Sequence, residues 1–228
     1  MKKLQYNEIE QIYGYIIHDS KPDPRSHSSL EGIEDALTEA FKMFNKTGAT
    51  WVPAGGIEPT VRFGAATRNH SDIDIELEEA QIPLFRKGME AQGYKLCEKI
   101  ISIKIPNYKE RIIAYRNLTR QTDLLKKQIR LINTDLNNEN LHYLLKVIDV
   151  KVCRFTNEGT VINNKGNLIT ITDQYLSNQT DFHGEKIQLR NLAFYNKIKS
   201  AEHKKNKPGK ATDKYDRILL EAKRKNYT

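Results

Sequence analysis

From Asp72 to Leu77 the chain reads Asp-Ile-Asp-Ile-Glu-Leu, acidic and apolar side chains alternating without a break. Alternation at period two fits a β-strand with one buried face; a helix would scatter these side chains around its circumference. The run therefore predicts a half-buried strand, with Ile73, Ile75 and Leu77 inward and Asp72, Asp74 and Glu76 together on the other face. Two carboxylates side by side repel unless a cation lies between them or one takes a proton. Upstream, Gly55-Gly56 closes a short apolar stretch over 49–54 that reads as another strand. A double glycine there gives a tight turn whose backbone N–H groups can approach a phosphate. Acids facing such a cradle suit a metal–nucleotide complex better than a bare ion.

A lone Asp-x-Asp pair is an ordinary exposed strand face as often as a site. Here three neighbours argue for a site. The glycine turn follows a strand, Arg68 stands four residues before Asp72 and can pair with phosphate oxygens, and Asp149 sits in a later strand among Val147, Ile148, Val150 and Val152. A charge at that last position needs a partner or a metal if it is buried.

The 228 residues suffice for one large or two small domains, and 38% hydrophobic with 29% charged residues fit a soluble globular protein with a modest core. No apolar run is long enough to cross a bilayer. Met1-Lys2-Lys3-Leu4 leads into no signal-peptide pattern, so the expectation is a cytoplasmic protein without a membrane partner. Cys97 and Cys153 lie far apart in no metal-ligand spacing and are expected as buried, reduced thiols in strands. The net charge of +8 favours anionic ligands. Its basic residues cluster over 104–130 and over 204–210, where the plain alternative is a solvated face.

Coarse patterning orders the rest. Residues 1–18 carry a weak helical pattern, and Ser28-Ser29-Leu30-Glu31 signals the cap of a helix closed by Gly48. A short helix through Val61 and Phe63, a helix over 83–92 stopped by Gly93, and a strand over 94–103 follow. Over 105–145 apolar residues recur at helical intervals with Pro106 as the sole proline and no glycine, which predicts one long or two shorter basic helices inserted between strands. Residues 146–155 alternate as a strand, and 161–172 hold another with an Asn-Lys-Gly turn. A helix over 189–201, a loop from His203 and a last helix capped by Asp213 complete the reading.

Gly55-Gly56, Gly64, Arg68, His70 and Asp72-Ile73-Asp74 together resemble the glycine-to-acid signature of the lincosamide and small aminoglycoside nucleotidyltransferases, members of the polymerase-β-type superfamily. Glu90-Ala91-Gln92-Gly93-Tyr94-Lys95, Ile148-Asp149-Val150 and Asn157-Glu158-Gly159-Thr160 extend the likeness, and Lys186 to Asp216 follows it more loosely. The resemblance covers about 45–97 and 146–220, and sets 1–25 and 99–145 apart as stretches without counterpart in the compact antibiotic-modifying members.

The resemblance implies an α/β (α+β) nucleotidyltransferase fold with a small mixed sheet, to which the periodicity adds the basic helical insert at about 104–145; the expected division is a domain over 1–185 and a helical region over 186–228. It implies Mg²⁺ and an NTP, ATP foremost, with AMP moved to an acceptor hydroxyl on an antibiotic-like small molecule. Asp72, Asp74 and Asp149 would be metal ligands and catalytic groups, with Asp149 taking the hydroxyl proton. Gly55, Gly56, Arg68 and His70 would bind the nucleotide, while Glu76 is a further ligand or a structural residue. Two alternatives stand beside this: a toxin-like enzyme acting on tRNA or protein, with the basic insert contacting RNA, and a non-catalytic basic nucleic-acid-binding protein. Oligomeric state is left open.

Overall fold

The first long helix, α1 (Leu30–Asn45), starts where Ser29 accepts a hydrogen bond from the Gly32 N–H at 3.1 Å. Its residues Ile33, Leu37, Ala40, Phe41 and Phe44 fall on one stripe and are fully buried. The computed structural model describes residues 15–19, 29–66, 68–70, 72–104, 111–118, 122–133, 144–145, 147–164 and 167–203. The expected N-terminal pattern before Tyr15, the last helix and the basic cluster after His203 lie outside them.

The architecture is α+β and the sheet is mixed. In chain order its strands are β1 (Tyr15–Asp19), β2 (Trp51–Pro53), β3 (Ile73–Glu78), β4 (Lys95–Lys104), β5 (Arg111–Asn117), β6 (Ile129–Ile132), β7 (Val147–Thr156), β8 (Gly159–Asn164) and β9 (Asn167–Ile171). The spatial order is β1-β5-β4-β6-β7-β3-β2, with β8 on β7 and β9 on β8. Only β3 and β7 run parallel; every other pair is antiparallel. β7 changes partner along its length, pairing with β6 over 147–150 and with β8 over 153–156.

The two faces of the sheet differ. Ile73, Ile75, Leu77, Ile148, Val150, Ile129 and Leu131 join α1 and the helix α3 (Ile82–Glu90) in the main core. Trp51 packs between Phe41 and Phe44, with centroids at 5.2 and 5.1 Å, and Phe85 of α3 meets Phe44 at 5.7 Å. The opposite face carries a smaller cluster of Val52, Cys153, Ile162, Ile171, Tyr175 and Phe194. Phe194 belongs to the helix α4 (Leu192–His203), so the helices do not all lie on one side. A separate hairpin, β10 (Leu176–Phe182) and β11 (Glu185–Arg190), precedes α4 and sends Phe182 into the main core against Phe41.

Four expectations need correction. The described residues of 104–145 are not a helical insert: β5 and β6 are internal strands of the sheet, and Leu124–Lys126 is a single 3₁₀ turn. Short apolar runs carry both periods, and Ile112, Ile113 and Tyr115 are residue types that fit a pleated surface. Residues 15–19 extend a strand onto β5 where a helical pattern was read. The sheet is correspondingly not small. Strand β11 runs through Arg190, across the residue where a helical region was expected to begin, and α4 starts only after Asn191, whose side chain accepts from Ala193 N–H at 2.9 Å.

Gly88 shows how closely α3 lies on the end of α1. A Cβ there would stand 2.8 Å from the Thr47 Cα, a backbone neighbour that cannot turn aside. Gly88→Ala adds about 1 kcal/mol of intrinsic helix preference. The overpacking should outweigh it and lower stability by about 1–3 kcal/mol. Urea unfolding reads the sign, and a stabilised variant would show that the two helices have room to part.

Candidate active site

The acids lie on the face opposite the main core. In the parallel ladder Ile73 faces Ile148, Asp74 faces Asp149 and Glu76 faces Lys151. Directly opposed residues share a face and neighbouring strands stand about 4.8 Å apart. One row therefore crosses three strands: Asp74 on β3, Asp149 on β7 and Arg130 on β6. Each carboxylate has its own cation. Arg130 pairs with Asp149, and Lys151 Nζ lies 3.4 Å from Asp74 Oδ1. Asp72 stands immediately before β3, at the same end of the strand.

The glycine turn presses on this row. Ala54 N–H donates to the Asp74 carbonyl at 2.9 Å, which ties the end of β2 to β3. Gly55 has φ +55°, and a methyl group on it would fall into the Asp74 carboxylate. A methyl on Gly56 would fall into the Arg68 guanidinium. Gly55 needs glycine for its backbone conformation and for the close approach of Asp74, whereas at Gly56 the neighbour is the end of the flexible Arg68 side chain. The turn thus lies against both Asp74 and Arg68, and Arg68 Nη1 also donates to the Asn69 carbonyl at 3.2 Å. Helix α2 (Ile57–Phe63) follows and ends at Gly64, φ +85°.

His70 is buried, with Nε2 2.9 Å from the Thr60 hydroxyl of α2. Burial, then the Arg68 charge, lower its pKa to about 4, with Asp72 opposing. The imidazole is neutral near pH 7 and braces the chain between α2 and β3.

Glu76 belongs to a different set. Its carboxylate accepts from the Tyr175 hydroxyl at 2.7 Å and meets Arg190 Nη1 at 3.5 Å. Arg190 also pairs with Glu58, which Arg62 grips with Nε at 3.1 Å and Nη2 at 2.6 Å. Glu58, Glu76 and Arg190 are all buried. Burial works against the Arg190 charge, but Glu58 and Glu76 override it and hold the guanidinium protonated. Of the two roles considered for Glu76, this favours the structural one. Cys97 and Cys153 are both buried and free, and burial pushes both thiols up, Cys97 to about 11. Neither is a nucleophile at neutral pH.

Among the described residues no group of three His, Cys, Asp or Glu side chains is placed to hold a metal ion. Mg²⁺ differs from metals that need such a cage, since one or two carboxylates plus substrate phosphates and water suffice for it. Hard oxygen donors side by side on two strands, against a glycine turn with an arginine, fit that ion when it arrives with a nucleotide. Among the described residues no helix is long and apolar enough to cross a membrane.

A cavity of about 420 Å³ adjoins Asp149. It opens where β7 leaves β6 and takes up β8, and its walls include Lys126, Lys127, Arg130, Lys151 and Asn163. Sequence reasoning missed Arg130 and Lys151 as neighbours of the acids. The only available signal was the Asp149-Val150-Lys151 alternation, which puts Lys151 on the acid-bearing face. The partners of Glu76 lie far along the chain and left no local signal.

The His70 environment sets a pH dependence. With a native pKa near 4 and an unfolded value near 6.5, the unfolded chain binds more protons in between. Stability from this group is complete above pH 6.5 and is lost as the pH falls towards 4, by roughly 2–3 kcal/mol. His70→Gln should flatten that part of the urea-midpoint profile between pH 7 and 4. Equal slopes in both proteins would show that His70 does not resist protonation.

Comparison with known proteins follows the same residues. The sequence model of the aminoglycoside-2''-adenylyltransferase family matches residues 36–143, a little under half of the chain. The match spans the glycine turn, Arg68, His70, Asp72 and Asp74. It also runs through 104–143, so the stretch read as lacking a counterpart is part of what is shared. No curated protein matches the sequence. Among solved structures, a lincomycin-bound lincosamide antibiotic adenylyltransferase, LnuA, is similar at 17% identity, covering 82% of this chain and 96% of its own, with a TM-score of 0.48. ANT(2'')-Ia, in complex with adenylyl-2''-tobramycin, is similar at 11% identity, covering 86% of this chain and 99% of its own, with a TM-score of 0.42. Over residues 36–143 the chain is similar to a family of nucleotide-transferring enzymes, the aminoglycoside-2''-adenylyltransferases.

Proposed function

We propose that this protein is a nucleotidyltransferase that uses an NTP with Mg²⁺ and moves the NMP, AMP from ATP, to a hydroxyl of a small-molecule acceptor of the antibiotic kind. The observation that carries the reading is the registration of Asp74 against Asp149 with the glycine turn packed on Asp74. It puts Asp74 between the turn and Asp149, and the likeness to an adenylyltransferase family includes the turn, Arg68, Asp72 and Asp74. That likeness also favours adenylate as the group moved.

The residues divide the work. Gly55 and Gly56 would turn backbone N–H groups towards phosphate oxygens, and Arg68, packed against Gly56, would offset their charge. Asp72, Asp74 and Asp149 would hold Mg²⁺, which supplies charge neutralisation on the phosphates when bound. Asp149 accepts the acceptor's hydroxyl proton as that oxygen forms its bond to the α-phosphorus. The bond from the α-phosphorus to the bridging oxygen breaks, and pyrophosphate leaves with the electron pair. The protein's contribution is chiefly positioning and charge, as in other phosphoryl-type transfers. His70, neutral and held by Thr60, fixes the approach of Arg68 and Asp72 to the nucleotide. Of the basic residues that motivated an RNA-contacting surface, Arg130 lies in a strand and pairs with Asp149.

The test is release of pyrophosphate from ATP with Mg²⁺ across a panel of hydroxyl-bearing antibiotics. Asp74→Asn and Asp149→Asn should each slow release by about 10²–10⁴-fold without lowering Tm. Arg68→Ala should raise the KM for ATP while kcat changes less. Unchanged turnover in both aspartate variants would sink the assignment.

A further inference from the structure

The cavity beside Asp149 has a sign. Its walls hold four cations, Lys126, Lys127, Arg130 and Lys151, and two carboxylates, Glu76 and Asp149. Glu76 is not free to meet a ligand cation, being taken by Arg190 and Tyr175. Arg130 and Lys151 are matched by Asp149 and Asp74. Lys126 and Lys127 then set the potential of the outer wall, with Lys127 partly offset by Glu98 at 3.6 Å.

The cavity is also built rather than incidental. It exists because β7 exchanges partners, and the gap is framed by the 3₁₀ turn that bears Lys126. Asn163 Nδ2 of β8 donates to the Leu125 carbonyl at 2.7 Å and pins that turn across the gap. Its volume suits a ligand of small-molecule size. The glycine turn and Arg68 do not line it. The donor phosphates and this cavity therefore lie to different sides of Asp149.

We infer that this cavity receives the acceptor, and that the acceptor is a phosphorylated sugar rather than a polycationic aminoglycoside. An aminoglycoside brings several ammonium groups, which need acidic walls; here they would meet Lys126 and Lys127 on the outer wall. A phosphate ester meets Lys126 and Lys127 at the mouth and turns its hydroxyl towards Asp149. The inference rests on the transfer reading above in calling the occupant an acceptor, and replaces the antibiotic-kind acceptor of that reading with a phosphate ester. The sugar phosphate is either a free metabolite or the end of a nucleic-acid chain, which present the same chemistry.

The experiment is calorimetric titration of the full chain with glucose 6-phosphate, glucose, tobramycin and a short RNA oligonucleotide. Wild type and Lys126→Gln/Lys127→Gln are compared, and pyrophosphate release by Asp74→Asn is measured alongside. Glucose 6-phosphate should bind at least about tenfold more tightly than glucose, and the double variant should erase most of that difference. RNA displacing glucose 6-phosphate assigns the group to a nucleic-acid end; failure to displace it assigns a free metabolite. Tobramycin binding more tightly than glucose 6-phosphate, equal affinity of the variant and wild type, or no binding of either phosphate probe overturns the inference. If Asp74→Asn keeps its turnover, the transfer reading fails by itself, whatever the titrations give.

Discussion

The parallel ladder between β3 and β7 is the constraint on which the site depends. Parallel strands cannot be joined by a hairpin, so the chain between Glu78 and Val147 must leave the sheet and return. It does so through α3, β4, β5 and β6, and that excursion adds three of the nine strands of the sheet before β7 arrives. The register then decides everything local. A one-residue slip of β7 would turn Asp149 and Lys151 into the apolar core and bring Ile148 and Val150 out. With both hydrophobic sets buried under α1 and α3, that slip is strongly disfavoured, and Asp149 is fixed beside Asp74. The core on one face thus sets the chemistry on the other.

A second tie holds the far part of the chain to this frame. Arg190, at the end of β11, reaches Glu58 on α2 and Glu76 on β3. Ion pairs this deep add little compared with an apolar substitute, but breaking one partner leaves an uncompensated charge at a cost of about 3–5 kcal/mol. The network therefore specifies the position of the hairpin more than it stabilises the fold. Arg62 and Arg190 both lie over the ring of Tyr195, at 5.9 and 5.7 Å, so α4 is drawn to the same point. Glu76 shares its strand with Asp74, so the hairpin and α4 are anchored within two residues of a candidate ligand.

What the sequence disclosed follows from locality. The Asp72–Leu77 alternation, the glycine pair and the α1 stripe are short-range patterns, and each appears in the structure at the residues expected. The capping signal was off by one, since Ser29 and not Ser28 precedes the first turn. The 105–145 stretch misled because Ile112, Tyr115 and Leu118 satisfy a helical period by spacing alone. Pairing between β5 and β4 and between β6 and β7 decided the matter, and those partners lie outside any local window. The β10–β11 hairpin was legible in principle: His183 and Gly184 both have positive φ, the turn that a residue-glycine pair between alternating stretches permits. Arg130 was visible as one of many basic residues, but only the sheet order shows that it faces Asp149.

The overall charge takes on a different meaning in this light. A net +8 read from composition suggests a broad basic surface for an anionic polymer. Several of those cations are spent internally. Arg130 and Lys151 offset Asp149 and Asp74, Arg190 and Arg62 offset Glu58 and Glu76, and Arg154 meets Glu79 at 2.6 Å. The acid-bearing face is therefore close to neutral along its central row, where the paired cations offset the repulsion between the two carboxylates. The positive potential that remains near the site belongs to Lys126 and Lys127, at the edge of the cavity and not across the whole sheet. Charge here acts by position: it neutralises the acids where the strands meet and leaves an attractive rim only where a ligand would enter.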